Sequence, residues 1–252
     1  MSNFGRQNRP FREKVHGRPQ KSETNPYVEL HATLGPPVIT AHEALDHAGN
    51  WDACFGRSAP LHLEVGSGNG FFLAGMAARH PERNWLGLEI RFKRVVLCAR
   101  KIQAAGITNA RISRYDAWWL DDLFGEASLS GLYVNHPDPW KKKKEARKRL
   151  MGRYFAEFAA WALKPGAELR LKSDFPGNIE GLVGAIDGLP LTVVGRSDDV
   201  RRSLPWDAED DITTNYQSKF DKKDAPVYAV RLVRGPGEAS PPSAARQDAT
   251  EG

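Results

Sequence analysis

The sequence predicts an α/β fold, a mainly parallel seven-stranded sheet with helices on both faces. Three observations predict it. Short apolar runs of strand length alternate with stretches of helical periodicity from Leu61 to Leu232, the pattern of repeated strand–helix crossovers. A glycine-rich turn, Gly66-Ser67-Gly68-Asn69-Gly70, follows the first of those strands at once. Acids then mark three successive strand ends: Glu64, Glu89 and Asp116.

The elements follow in order. Residues 1 to about 26 carry Arg6, Arg9, Arg12, Lys14, Arg18 and Lys21 against Glu13 and Glu23. With few aliphatics, they read as a disordered basic arm. The arm serves either to hold nucleic acid or simply to keep the chain in solution. The folded domain is expected over 27–234. Its opening part has a short helix around Ala41 to Ala48, packed on the edge of the core. Leu61-His62-Leu63-Glu64-Val65 is the first strand, and Phe71 to Arg79 the first long helix. Asn84 to Ile90 and Arg91 to Ala104 repeat the pair, and Ala110 to Tyr115 is the third strand. Leu129 to Val134 leads into Asn135-His136-Pro137-Asp138-Pro139-Trp140, and a helix is expected from about Ala146 to Leu163. Ala167 to Lys172 is the fifth strand and Ile179 to Ile186 its helix; Leu191 to Val194 and Pro226 to Leu232 close the sheet. From Gly235 to Gly252, Pro, Ser, Gly and Ala predominate without periodicity, which reads as a disordered tail.

Composition narrows the class. A length of 252 residues is enough for a large core. Cys54 and Cys98 stand far apart, and the seven histidines lack ligand spacing, so neither a disulfide framework nor a metal site is expected. No stretch approaches a membrane span, and no signal-peptide apolar region opens the chain, so the expected location is the cytoplasm. A net charge of +5 makes a polyanionic partner plausible. The charge is concentrated in Lys141, Lys142, Lys143, Lys144, Arg147, Lys148, Arg149 and Arg153, with Glu145 the one acid among them. Such a run is either a solvated face or a phosphate grip. No second subunit is marked, and monomer and homodimer both stay open.

The glycine turn is G-x-G-x-G, one residue short of the G-x-G-x-x-G dinucleotide fingerprint. It serves either as a packing turn or as a ligand loop. A pyrophosphate fits it less well than a ligand without phosphates, and Glu64 would repel one while facing the cationic amino-acid end of S-adenosylmethionine. Glu89 is placed to accept from ribose hydroxyls and Asp116 from an adenine amino group. This favours S-adenosylmethionine over a nicotinamide cofactor. Two prolines hold Asp138 at the carboxyl end of a strand, where ligands sit in open α/β sheets.

Across about Glu64 to Phe220 the sequence resembles the tRNA (guanine-N7-)-methyltransferases, a family of Rossmann-like class I S-adenosylmethionine-dependent methyltransferases. The resemblance rests on Leu63-Glu64-Val65-Gly66-Ser67-Gly68, Gly87-Leu88-Glu89-Ile90, the Pro137-Asp138-Pro139-Trp140 block with its lysines, and Thr214-Asn215-Tyr216-Gln217-Ser218-Lys219-Phe220. It implies transfer of a methyl group from S-adenosylmethionine to N7 of a tRNA guanine, at variable-loop position 46. Glu64, Gly66, Gly68, Glu89, Asp116 and Asp138 would bind the cofactor, with Asp138 also catalytic. Lys142, Asp174, Thr214, Asn215, Tyr216 and Gln217 would contact substrate. Lys144, Glu145, Ala146, Arg147, Lys148 and Arg149 would touch RNA. Gln217 stands where the family usually has Glu, and an amide there cannot form an ion pair. That leaves open an RNA-binding partner protein with the same fold and reduced activity. Trp140 is either a stacking platform for a base or a core residue, and Asp174 either a substrate contact or the N-cap of the next helix.

Overall fold

In a computed structural model the described residues are 25–142, 145, 148–214, 216–218 and 223–243. The expected basic arm, Lys144, Ala146, Arg147 and Asn215 lie outside them or, in the arm's case, almost wholly so. The eight strands are β1 (Val38–Ile39), β2 (Leu61–Val65), β3 (Asn84–Glu89), β4 (Ala110–Arg114), β5 (Leu129–Asn135), β6 (Leu163–Ser173), β7 (Leu191–Ser197) and β8 (Tyr228–Arg234). They form one sheet in the order β1-β4-β3-β2-β5-β6-β8-β7. The expected count of seven is corrected to eight. The extra strand has two residues at the β4 edge, and a pair that short carries no alternation to read. Pairings from β1 to β6 are parallel, and β8 runs antiparallel between β6 and β7.

Among the described residues seven α-helices complete the layers: α1 (Pro26–Thr33), α2 (Ala41–Asp46), α3 (Trp51–Phe55), α4 (Phe71–Arg79), α5 (Phe92–Ala104), α6 (Arg153–Ala162) and α7 (Pro176–Val183). Strand β2 is buried along its whole length, as expected of a central parallel strand covered on both faces. Leu63, Val65, Leu132 and Val134 pack with Phe155, Phe158 and Leu182 of α6 and α7. Tyr133 and Trp85 pack on the other face with Phe72, Met76, Val95 and Ile102 of α4 and α5. The helix expected from Ala146 begins only at Arg153. Gly152 enters α6 in an extended conformation, and several residues of the basic run lie outside the described ones. At the other end, Leu163 already belongs to β6.

The topology creates the site. From β2 the chain moves outward through β3 and β4, then returns to place β5 on the other side of β2. Ligand crevices open at the carboxyl ends of strands at such a reversal. The register sets Glu64 beside Tyr133 and Val65 beside Val134, so Asn135 emerges on the same face as Glu64.

Candidate active site

The cleft at this reversal has a volume of about 490 Å³, the size of small-molecule sites. Its floor is Glu64 and Asn135, its near wall Gly66 to Asn69 with Phe71 and Phe72. Its far wall is His136, Asp138 and Pro139, with Lys93, Arg94, Thr214 and Tyr216 also lining it. Glycine is required in the near wall. Gly66, Gly68 and Gly70 have φ of 78°, 54° and 76°, a region that disfavours side chains. A Cβ on Gly70 would also stand 2.9 Å from Cys98 Cα, so this turn packs directly on α5.

Glu64 is 1% exposed. Its Oε1 accepts a 3.1 Å hydrogen bond from Asn135 Nδ2, while Oε2 is buried with no hydrogen-bond partner. Burial pushes its carboxyl up to about 7, held back by the Asn135 hydrogen bond and the charge of Lys172. A buried acceptor bordering a cleft calls for a donor from the ligand. Glu89 Oε2 accepts from Gly68 N–H at 3.0 Å and Oε1 from Arg91 N–H at 2.9 Å, which ties the end of β3 to the glycine turn. Asp116 caps the 3₁₀ turn Ala117–Asp122, accepting from Trp118 N–H at 3.0 Å; desolvation raises its carboxyl above the usual range. Glu89 thus ends β3 as expected, whereas Asp116 lies two residues beyond the end of β4, and neither is among the residues that line the cleft.

Asp138 is exposed, and among the described residues its carboxylate takes no hydrogen bond. The loop that carries it is held tightly. His136 and Trp140 have φ of 54° and 37°, and a non-glycine residue in that region costs of order 1–3 kcal/mol, so the surroundings must impose it. They do so through backbone atoms. His136 N–H donates to Lys172 O at 2.8 Å, and Asn178 Nδ2 donates to Pro137 O at 3.1 Å. Arg149 donates to Pro139 O at 3.3 Å and to Trp140 O at 3.2 and 3.0 Å. Trp140 is half-buried rather than in the core, with Lys148 Nζ 4.9 Å from its ring centre. Arg149→Ala should therefore lower turnover by roughly tenfold or more, as small misplacements of a reacting group do. The salt dependence of RNA binding should stay as in the wild type; a shallower salt slope would instead make Arg149 a phosphate contact.

The segment after β7 brings in the last wall. Asp211 Oδ1, Ile212 O and Gln217 Oε1 surround the buried Lys172 ammonium at 2.8, 3.2 and 3.0 Å. Arg79 donates to the carbonyls of Glu209 and Asp211, and Arg170 pairs with Asp210. Gln217 is thus 5% exposed and does not line the cleft, contrary to the substrate contact expected of it. As expected of an amide it forms no ion pair, but its carbonyl oxygen accepts a hydrogen bond from the ammonium. With Asp211 already balancing Lys172, a second carboxylate would leave excess negative charge near Glu64, and an amide does not. Gln217 N–H also donates to Thr214 Oγ1 at 3.0 Å, which fixes Thr214 beside the cleft.

Helix α7 starts at Pro176 with Phe175 in the capping position and no side-chain cap, so Asp174 is not its N-cap. Asp174 instead faces His136 Nδ1 at 3.7 Å. Partial burial would raise its carboxyl, but the neighbouring His136 and the charge of Lys141 hold it below the usual range. Lys142 is exposed outside the cleft, and Glu145 is half-buried. Sequence reasoning missed Asn135, Asn178, Lys93 and Arg94. Asn178 left no signal, since its role depends on where a distant loop passes. Lys93 and Arg94 left one: cations in the first turn of a helix, where acids are favoured. Among the described residues no group of three or more His, Cys, Asp or Glu is arranged to hold a metal ion. None of their helices is long and apolar enough to cross a membrane.

A family model described as "Putative methyltransferase" matches residues 58–230. The tRNA (guanine-N(7)-)-methyltransferase of Halalkalibacterium halodurans is 35% identical over 193 residues, covering 76% of this chain and 86% of that protein. The protein of that name from Levilactobacillus brevis is 34% identical over 182 residues, or 72% and 83% of the two chains. The chain belongs to the tRNA (guanine-N7-)-methyltransferase family. Membership sets aside the nicotinamide reading. Two solved structures, of the 16S rRNA methyltransferase KamB and the antibiotic-resistance methyltransferase Kmr, share the fold. Their TM-scores are 0.57 and 0.52 at 15% and 16% identity. Each match covers 75% of this chain, with 94% of the first structure and 93% of the second.

Proposed function

We propose that the chain transfers the methyl group of S-adenosylmethionine to N7 of a guanine in tRNA, at variable-loop position 46, in the cytoplasm. The observation that carries this reading is the restrained Asp138, presented by a family-specific loop across a small-molecule cleft from the unpartnered Glu64 Oε2. The residues fit the cofactor. Glu64 accepts from its ammonium, Gly66 and Gly68 admit it closely, and Glu89, outside the cleft lining, holds the glycine turn in place through Gly68 N–H. When bound, S-adenosylmethionine supplies an electrophilic sulfonium methyl.

The chain's own task is then positioning. Guanine N7 has an in-plane lone pair and loses no proton, so no general base is required. Asp138 accepts from guanine N1–H and the exocyclic amine, which fixes the ring. Its charge also stabilises the positive charge that grows on the base. Tyr216, with Thr214, borders the space the base enters, and Asp174 holds His136 on that side. Lys142 and the run 144–149 serve the RNA, with Lys148 and the lysines around it meeting phosphates while Arg149 holds the loop. Because the fold of a tRNA crowds the N7 edge of a variable-loop guanine, the base is turned out before transfer. The partner reading with reduced activity draws no support from Gln217, whose amide holds Lys172 below the cleft.

The test is incubation of the full chain with unmodified tRNA transcripts and methyl-labelled cofactor, followed by mapping of the label. Label on N7 of the variable-loop guanine is the expected result. Binding without transfer, on every transcript offered, would move the chain to the partner reading.

A further inference from the structure

Lys93 and Arg94 line the cleft together with Asp138 and Tyr216, yet neither is needed to hold the cofactor's ammonium or the base. Arg94 is half-buried, and among the described residues no carboxylate pairs with it. Other arginines of the fold are differently placed: Arg153, Arg170 and Arg201 are each held by an acid. Arg94 reaches over the glycine turn, where a Cβ on Gly68 would stand 3.3 Å from Nη1. Its charge is felt at Tyr216. Burial, then Asp174 and Asp138, push that phenol up, and Arg94 draws it down. Lys93 is exposed, with its ammonium 5.6 Å from the Tyr27 ring centre, a contact that leaves its donors available.

The placement is costly to the free protein. Both cations stand in the first turn of α5, a helix of 13 residues with no acid in that turn and no side-chain cap at Arg91. Like charge at the positive end of a helix dipole is destabilising, and an anion beside it relieves the repulsion. We infer that Lys93 and Arg94 form an anion site for a backbone phosphate of the RNA, next to the nucleotide whose base enters the cleft. This rests on the reading that RNA is the substrate.

A carboxylate of the cofactor is the other anion within reach, and two observations favour phosphate. The buried acceptor Glu64 Oε2 lies on the floor, whereas Arg94 and Lys93 are progressively more exposed, on the side a polyanion approaches. Two cations also exceed what a single carboxylate balances, and a guanidinium forks onto two phosphate oxygens. The site would therefore register the substrate nucleotide by its phosphate while Asp138 reads its base.

The experiment compares wild type, Arg94→Ala, Arg94→Lys and Lys93→Ala as full chains with unmodified tRNA. Cofactor affinity is measured by calorimetry, and KM and kcat for tRNA across a salt series. Arg94→Ala should raise KM for tRNA at least tenfold and flatten the plot of log affinity against log salt by about 0.7–0.9. Cofactor affinity should stay within twofold. Arg94→Lys should restore the slope but not the full affinity, because the point charge lacks the fork. Lys93→Ala should flatten the slope with a smaller change in KM. Unchanged KM and slope in folded Arg94→Ala would overturn the site. So would a tenfold loss of cofactor affinity at constant KM, which assigns the guanidinium to the cofactor carboxylate. A wild type that neither binds nor methylates tRNA defeats the substrate reading itself, and this inference with it.

Discussion

Asp138→Asn is expected to lower turnover by roughly 10²–10³ while leaving the fold and tRNA affinity nearly unchanged. The amide is close to isosteric, and the loop that carries it is pinned through backbone atoms of residues 136, 137, 139 and 140, none of which the substitution touches. The variant keeps one acceptor oxygen but presents an NH₂ toward a guanine donor, and it brings no charge to the forming cation. Phosphate contacts supply most RNA affinity and are untouched. Single-turnover rates with saturating tRNA, beside filter-binding affinities, separate the two effects. Turnover that survives in the variant would leave Asp138 as a turn residue and move the chemistry elsewhere.

Glu64→Gln is expected to make the cofactor-free protein more stable and the cofactor-binding site worse. The folded carboxyl titrates at about 7, above its ordinary value of 4.5, because the site is buried. Between those two values the folded state binds more protons than the unfolded state. Stability therefore falls as pH rises from about 4.5 to 7 and stays low above it. The shift corresponds to about 3 kcal/mol. At pH 8 the amide should raise the melting temperature by about 6–10 °C, and at pH 4 it should change little. Cofactor affinity should move in the opposite direction. In the wild type it should rise about tenfold from pH 5.5 to 7 as Glu64 ionises and meets the ammonium. In Glu64→Gln it should be weak and nearly flat over that range. Identical melting curves for both proteins from pH 4 to 8 would mean that Glu64 ionises in the fold at no cost.

The parallel core strands and the glycine turn were legible in the sequence because both are local: a strand or a helix writes its period into consecutive residues. Asp138 was legible for the same reason, since two prolines and a preceding apolar strand mark its place without reference to the rest of the chain. The edge strand Val38–Ile39 was not, because two residues have no period and their pairing with β4 depends on a segment more than 70 residues away. The late start of α6 goes with the extended Gly152 and with Arg149 being drawn to the loop carbonyls. What only the tertiary structure decided was the division of labour among polar residues. Gln217 looked like a substrate contact but is turned inward onto Lys172, while Asn178 and Arg149 support the loop from outside. Lys93 and Arg94 are cations in a helix's first turn, and only the fold shows that they face the cleft. A side chain's chemistry is written at its own position, but its partner is set by strand order and crossover, which bring together residues that no local pattern connects.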